Sequence, residues 1–291
     1  MVKYCFIILH YLTIEDTIAC VNSIKSLEIN CEQVSIVIVD NASSNGTGKV
    51  ISEKYKNERN ISVILNCVNE GFSRGNNIGC EYAKEWINPD FYIVLNNDVV
   101  IEQLDFCNRI RKEYEEYKFD VLGPDVYNKS LDIHQNPLME TVPTLKEVSR
   151  TILFNQIIYN LYPISVPVMY FLKRREKRIK SINLYKHRQE GVVLQGACLI
   201  FSKKYVNDKN KVFYPETFLY YEEALLQLWN NMHGYKSVYS PEISVLHNES
   251  SSTRVDNKHT IKRWYNGANN IILAASVYLN ELKKYTEENR A

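Results

Sequence analysis

The hydrophobic positions fall into short, nearly unbroken runs separated by stretches with helical spacing. Cys5 to Leu9, Val34 to Val39, Ile61 to Leu65 and Phe91 to Leu95 are the clearest runs. Runs of this kind read as strands buried on both faces of a parallel sheet, because helices cover such a sheet above and below. After the first run, Thr13-Ile-Glu-Asp16 has the form of a capping box, and Ile14, Ile18, Val21 and Leu27 mark one face of a helix. After the third, Ser73 is placed to cap a helix carrying Ile78, Tyr82 and Trp86. Val121-Leu-Gly-Pro124 adds a further short strand. Strands alternating with helices in this way predict a doubly wound, mostly parallel α/β sheet flanked by helices.

Residues 130–190 break the alternation. Thr151 to Leu172 is apolar and aromatic, but Asn155, Gln156, Asn160, Pro163 and Pro167 interrupt it, and the basic run Lys173-Arg-Arg-Glu-Lys-Arg-Ile-Lys180 follows. A spanning helix needs about 20 largely apolar residues, so this run is a poor span. It suits an interfacial position on an anionic membrane, with the basic cluster toward the headgroups. The alternative is an insertion packed on its own domain with a solvated basic face. From Gly191 the strand pattern returns with Val192 to Phe201, interrupted by Gln195-Gly196-Ala197. A helix opened by acids is expected over Leu219 to Met232, then strands at Lys236 to Tyr239 and Ile243 to Leu246, the last ending at His247. An amphipathic helix over 260–282, with Ile261, Trp264, Ile271, Ile272 and Leu279, closes the pattern.

Composition narrows the class. The chain has 291 residues, 45% hydrophobic and 24% charged, enough to bury the core of one large α/β domain. A net charge of +1 gives no bulk attraction to nucleic acid, so no such partner is expected. The cysteines (5, 20, 31, 67, 80, 107 and 198) are odd in number and form no C-x-x-C pair, which argues against a zinc knuckle or a disulfide framework. Buried thiols in a reducing compartment fit best. Met-Val-Lys leads directly into a short apolar strand, too short for a signal-peptide core. The expected location is cytoplasmic, peripheral on the inner face of the membrane.

Polar clusters stand where the strands end, the position at which open α/β sheets bind ligands. Phe91-Tyr-Ile-Val-Leu-Asn-Asn-Asp98 places Asp98 where a hard cation bridging a diphosphate needs an oxygen ligand; taken alone it also suits a polar turn. Val39-Asp40-Asn41-Ala-Ser43-Ser-Asn-Gly-Thr47 puts an acid where it can hydrogen-bond the imide edge of a pyrimidine. Asn69-Glu-Gly-Phe-Ser-Arg-Gly-Asn-Asn77-Ile-Gly79 has glycines that admit a ligand to the backbone, before a helix whose N-terminus faces phosphate. It is neither G-x-G-x-x-G nor a P-loop, which disfavours kinase-type nucleotide binding. Phe218-Leu-Tyr-Tyr-Glu222-Glu223 and His247 complete the set. For His247 by itself, a capping or core histidine is the plainer reading.

In order, these motifs resemble the inverting family 2 glycosyltransferases of the GT-A fold, over residues 4–253 apart from 130–190. The match is nearest the rhamnosyltransferase-like branch that builds bacterial surface polysaccharides. The resemblance implies a nucleotide-sugar-binding half at 1–129, an insertion at 130–190, an acceptor-binding and catalytic half at 191–255 and a C-terminal helix at 256–291. It further implies that Asp40 contacts the base, that Asn69, Gly71, Asn77 and Asn97 line the nucleotide site, and that Asp98 and His247 hold Mn²⁺ or Mg²⁺. Glu223 would be the general base, with Tyr220 and Glu222 on the acceptor side. The donor would be a UDP-, dTDP- or GDP-sugar, and the acceptor a glycan or polyprenyl-linked glycan.

The chain departs from the family pattern at several points. Asn96 replaces the first acid of the metal motif, and Glu222-Glu223 replaces the usual Glu-Asp. Ala224 to Trp229 lacks the second acid and the Arg that usually follow. Thr260-x-x-Arg263-Trp264 only superficially matches the Gln-x-x-Arg-Trp of processive synthases, and Trp264 is read as packing. Two rival classes stay open. A catalytically silent binding protein of the same fold would fit the altered acids. A sugar nucleotidyltransferase would want a Gly-rich, Lys- or Arg-bearing loop at His10-Tyr11-Leu12-Thr13, which this chain lacks.

Overall fold

The computed structural model describes residues 1–29, 33–161, 183–248 and 260–288. Strands β1 (Lys3–His10), β2 (Gln33–Asp40), β3 (Ile61–Leu65) and β4 (Phe91–Asn96) lie side by side in the order β3-β2-β1-β4, all parallel. The crossovers carry α1 (Ile14–Lys25), α2 (Thr47–Tyr55) and α3 (Gly71–Trp86). In β1, Tyr4, Phe6 and Ile8 enter one core while Cys5 and Ile7 enter the other, the period-two alternation of a strand covered on both faces. Burying each large apolar side chain stabilises by about 1.5–3 kcal/mol, so these runs fix the strands where they stand.

Beyond β4 the sheet continues through β9 (Cys198–Ser202), β6 (Val121–Asn128), β10 (Ser237–His247) and the short β5 (Val99–Val100). β9 is antiparallel to both β4 and β6, and β10 is parallel to β6. The carboxyl ends of β1 to β4, β6 and β10 therefore share one edge with the start of β9. β7 (Ile133–His134) pairs with β6, and β8 (Gln189–Glu190) with β10. Between these strands lie α4 (Phe106–Tyr117) and α6 (Lys203–Asp208). A separate helical cluster joins α5 (Leu145–Asn160), α7 (Glu222–His233) and α8 (Thr260–Glu288) around Val148, Leu225, Leu228, Ala275 and Tyr278. A complete capping box, Thr144 with Glu147, starts α5.

Several elements differ from the sequence reading. The run from Val192 is strand only from Cys198, because Gln195-Gly196-Ala197 is a turn: the Ala197 N–H donates to Gln195 Oε1 at 2.7 Å. The strands expected at 236–239 and 243–246 are one strand, β10, whose register against β6 shifts between Ser240 and Ser244. Pro241 lies in that bend and has no N–H for the ladder. α3 starts at Gly71, and Ser73 lies buried in its first turn, 3.3 Å from the Thr217 hydroxyl. α1 buries Thr17, Cys20, Val21 and Ile24, a face rotated from the one expected. Cys5, Cys20, Cys80, Cys107 and Cys198 are buried cysteines outside any disulfide, whereas Cys67 is exposed. Cys31, the run 162–180 and the side chains of Ile261 and Trp264 lie outside the described residues. Among the described residues, no helix is long and apolar enough to cross a membrane.

Candidate active site

At the shared strand edge, β5 turns back from β4 and pairs antiparallel with the end of β10, setting Val99 opposite His247. That register carries Asp98 to His247: Nε2 of the imidazole stands 3.3 Å from Asp98 Oδ1. On its other side, Nδ1 lies 2.7 Å from Gln135 Oε1. The Asn248 N–H donates to the Asp98 carbonyl at 3.0 Å, pinning the two strand ends together. Oxygen or nitrogen ligands held at about 2.1 Å in adjacent octahedral positions are separated by roughly 3 Å, so the observed spacing fits a shared divalent cation. Among the described residues no three His, Cys, Asp or Glu side chains cluster as a metal site. The pair thus suits a hard cation that takes its remaining oxygens from a diphosphate and water, the usual habit of Mg²⁺.

The acid pair reaches the same edge by a strained turn. Tyr220 and Tyr221 both adopt the left-handed region, with φ of 74° and 63°. Such backbone costs an L-residue about 1–2 kcal/mol, and strain of this kind gathers where geometry serves a site. It reverses the chain so that Glu222 and Glu223 open α7, where the helix dipole favours anions. Glu223 lies against Gly196, where a Cβ would come within 2.9 Å of its Oε1. Burial pushes the Glu223 pKa up, and backbone N–H groups of Glu223 and Gly196 draw it back. Glu222 is pushed further up, first by burial and then by the neighbouring carboxylate, with a Thr217 hydrogen bond opposing. Its Oε2 is buried without a hydrogen-bond partner. Two such neighbours cannot both ionise readily, so one proton stays on the pair to higher pH. The Asn96 N–H donates to the Ala197 carbonyl at 3.0 Å, which ties this turn to the strand that ends in Asp98.

The residues expected to line the nucleotide are mostly turned inward. Asp40 is buried; its carboxylate accepts the Ser43 N–H at 3.3 Å and sits 3.8 Å from His10 Nε2, beneath Gly48. Asn69 Oδ1 accepts from the Gly71 N–H and from Asn41 Nδ2, both at 2.9 Å. Asn77 is 1% exposed; its amide donates to the Phe213 carbonyl and Glu216 and accepts the Phe213 N–H. Asn97 donates to the Thr13 hydroxyl at 2.8 Å and the Thr17 hydroxyl at 3.0 Å. These amides hold the loops that would meet a nucleotide: both polar atoms of the Asn77 amide are bonded to protein, as are the Asn69 oxygen and the Asn97 nitrogen. Gly71, at φ 73°, admits the Phe218 backbone: a Cβ there would lie 2.4 Å from the Phe218 carbonyl oxygen, which accepts the Phe72 N–H at 2.7 Å. Two N–H groups at the start of α3 are thereby used by protein acceptors. The centre of the clamp is Asn41, which the sequence reading did not single out. Its amide donates to Asn69 and the Gly71 carbonyl and accepts the Glu70 N–H, joining the loops after β2 and β3.

Comparison with known proteins decides the family. The sequence profile described as "Glycosyl transferase family 2" matches residues 5–208. The chain belongs to glycosyl transferase family 2. No curated protein sequence matches it. Among solved structures, TarS 1-349 of S. aureus superposes with a TM-score of 0.55 at 16% identity, covering 99% of this chain and 73% of TarS 1-349. Its complex with UDP-GlcNAc gives the same score and identity. The mannosyltransferase PcManGT from Pyrobaculum calidifontis, solved with GDP-Man and Mn2+, gives 0.54 at 11% identity, covering 95% of this chain and 69% of that one. These likenesses show the GT-A fold. The family match ends at residue 208, before Glu222, Glu223 and His247.

Proposed function

We propose that this glycosyltransferase is metal-dependent and inverting, moving one hexosyl or deoxyhexosyl group from a nucleoside-diphosphate sugar to a hydroxyl of a glycan or lipid-linked glycan. The observation that carries the reading is the approach of Asp98 to His247 at the strand edge that also bears Glu223. A divalent cation on that pair would supply positive charge to the departing diphosphate. That solved neighbours hold UDP-GlcNAc, and GDP-Man with Mn2+, supports a donor of this class. The loop after β2, shaped by Asp40 and clamped by Asn41, would present backbone groups to the base.

Glu223 would take the proton from the acceptor hydroxyl as its oxygen attacks the anomeric carbon from the face opposite the diphosphate. One displacement then inverts the anomer. A base works best with a pKa near the working pH, and burial moves Glu223 in that direction. Glu222, held protonated to higher pH, would keep a second negative charge out of the pocket and shape the acceptor side with Tyr220. The motif order favours the rhamnosyltransferase-like branch and a role in surface polysaccharide synthesis. Lys173 to Lys180 would hold the enzyme against the anionic cytoplasmic face of a membrane, close to a polyprenyl-linked acceptor.

The test is a thermal-shift screen of UDP-, dTDP- and GDP-sugars with and without Mn²⁺ or Mg²⁺, followed by transfer assays on the stabilising donor. Stabilisation that requires metal and disappears in Asp98→Ala is expected. Undiminished turnover in excess chelator would overturn the metal-dependent reading.

A further inference from the structure

We propose that Gln135 is a positioning residue that holds the His247 ring as its Nδ1–H tautomer, keeping Nε2 open for a cation. The inference rests on the reading of Asp98 and His247 as a cation site. A neutral imidazole carries one ring proton, and the bond made by one nitrogen decides what the other offers. Here the imidazole stands between two oxygens that only accept: Gln135 Oε1 at 2.7 Å from Nδ1 and Asp98 Oδ1 at 3.3 Å from Nε2.

Without Gln135, the best partner for the ring proton is the Asp98 carboxylate, since hydrogen bonds to a charged acceptor are stronger than neutral ones. That tautomer would bond Nε2–H to Asp98 and tie both metal ligands to each other. Gln135 outweighs that preference by geometry: its oxygen lies 2.7 Å from Nδ1, at full hydrogen-bond length, whereas Asp98 stands at 3.3 Å, beyond the usual N–H···O range. The proton is therefore drawn to Nδ1, and the lone pair of Nε2 faces the carboxylate. Two electron-rich atoms at 3.3 Å form a seat for a cation. Outer partners of a ligating histidine act in this way, fixing tautomer and ring orientation.

The backbone under Gln135 is itself held. Its N–H donates to the Val126 carbonyl at 2.8 Å. Next along the chain, Asn136 is 1% exposed; its amide donates to the Pro124 carbonyl at 2.6 Å and accepts the Gln195 N–H at 3.1 Å. The Gln135 side chain therefore departs from a segment fastened to β6 and to the turn before β9. No sequence motif marks it, because Gln135 and His247 meet only through the pairing of β6 with β7 and β10.

Long-range ¹H–¹⁵N correlation of the histidine rings in the metal-free full chain at pH 8 reads the tautomer directly, with His247→Ala assigning the signal. The wild type should show Nδ1–H. Gln135→Leu should move the population to Nε2–H, and Gln135→Glu, which still accepts from Nδ1, should keep Nδ1–H. In parallel, Mn²⁺ is titrated calorimetrically into protein saturated with UDP and, in a second arm, GDP. Gln135→Leu should weaken Mn²⁺ by roughly 10–100-fold and Gln135→Glu should restore it, the range seen when outer partners of ligating histidines are removed. A wild-type Nε2–H tautomer, or a Gln135→Leu protein that keeps both Nδ1–H and full Mn²⁺ affinity, overturns the role of Gln135. If His247→Ala binds Mn²⁺ as the wild type does, the cation site itself is misread and the proposal falls with it.

Discussion

Replacing Gly71 with alanine tests whether the start of α3 and the segment leading into the acid pair are locked together through Phe218. The substitution adds one methyl group, at a residue with φ 73° and 2.4 Å from the Phe218 carbonyl oxygen. Gly191 is the control: its φ is 72°, and a Cβ there would meet nothing within 4 Å. Gly191→Ala should therefore cost only the left-handed strain, about 1–2 kcal/mol. Gly71→Ala carries the same strain and must also push the Phe218 backbone away, losing the Phe72 N–H bond, worth about 1 kcal/mol, and overpacking a backbone contact, worth about 1–3 kcal/mol. The sum is roughly 3–6 kcal/mol. At about 2–4 °C per kcal/mol for a chain of this class, scanning calorimetry should find Gly71→Ala melting several degrees below Gly191→Ala. Because the displaced segment leads into Glu222 and Glu223, transfer should fall in Gly71→Ala and stay near normal in Gly191→Ala. Equal melting temperatures for the two variants would refute the argument, since the Phe218 approach would then exert no constraint.

Glu223→Gln keeps shape and removes basicity, so transfer should fall by roughly 10²–10⁴-fold with donor affinity nearly unchanged, while Glu222→Gln should mainly raise the acceptor KM. The reverse pattern in steady-state kinetics would place the base on the other acid. His10 is 0% exposed and bonded to the Thr17 and Thr47 hydroxyls, and burial lowers its pKa below the ordinary 6.5. The unfolded chain therefore binds this proton first, and stability should decline as pH falls below about 6.5, with a slope from His10 of at most about 1.4 kcal/mol per pH unit. His10→Asn should flatten that slope in denaturant titrations between pH 7 and pH 5.5; identical slopes would show that His10 does not titrate with folding. Flotation with anionic vesicles should carry the protein at low salt and release it as salt rises, since exposed charges are screened over about 8 Å at physiological ionic strength. A wholly unbound fraction at low salt would give the basic run another task.

The strands were legible because burial on both faces writes an unbroken apolar run into the chain, as in Phe91 to Leu95. Two surface helices, α2 and α4, were not. α4 buries Phe106, Cys107 and Ile110 but then Glu113, whose carboxylate takes the Arg188 guanidinium at 2.5 Å while that guanidinium stacks on Tyr117. A charge at a position where the helical period calls for an apolar residue erases the signal, and its partner comes from the distant β8 region. α2 is polar enough that only Gly48, Ile51 and Tyr55 are buried. Asp98 and His247 were legible as strand-end residues, and only the family resemblance, not their position, proposed a shared role for them. Gln135 was not legible, because nothing local distinguishes it.

The nucleotide-side motifs carry a different lesson about where polar residues spend their hydrogen bonds. Asn-rich loops after parallel strands invite the reading that each amide touches the ligand. An amide buried at such a loop must first satisfy its own donors and acceptor, because leaving one unpaired costs about 1–3 kcal/mol. Asn41 and Asn77 do so with groups of neighbouring loops, the Asn97 nitrogen is held by the hydroxyls of Thr13 and Thr17, and the oxygen of the exposed Asn69 is taken by Asn41 and the Gly71 N–H. Their conformation is thus settled before any donor arrives, and a ligand meets loops already in place. The carboxylates and the imidazole behave in the opposite way. Glu222 keeps a buried oxygen without a partner, and Asp98 and His247 face each other across 3.3 Å. In the proposed transfer, the chemistry at this edge falls to these acids and the imidazole, and the bonded amides keep the surrounding loops in place.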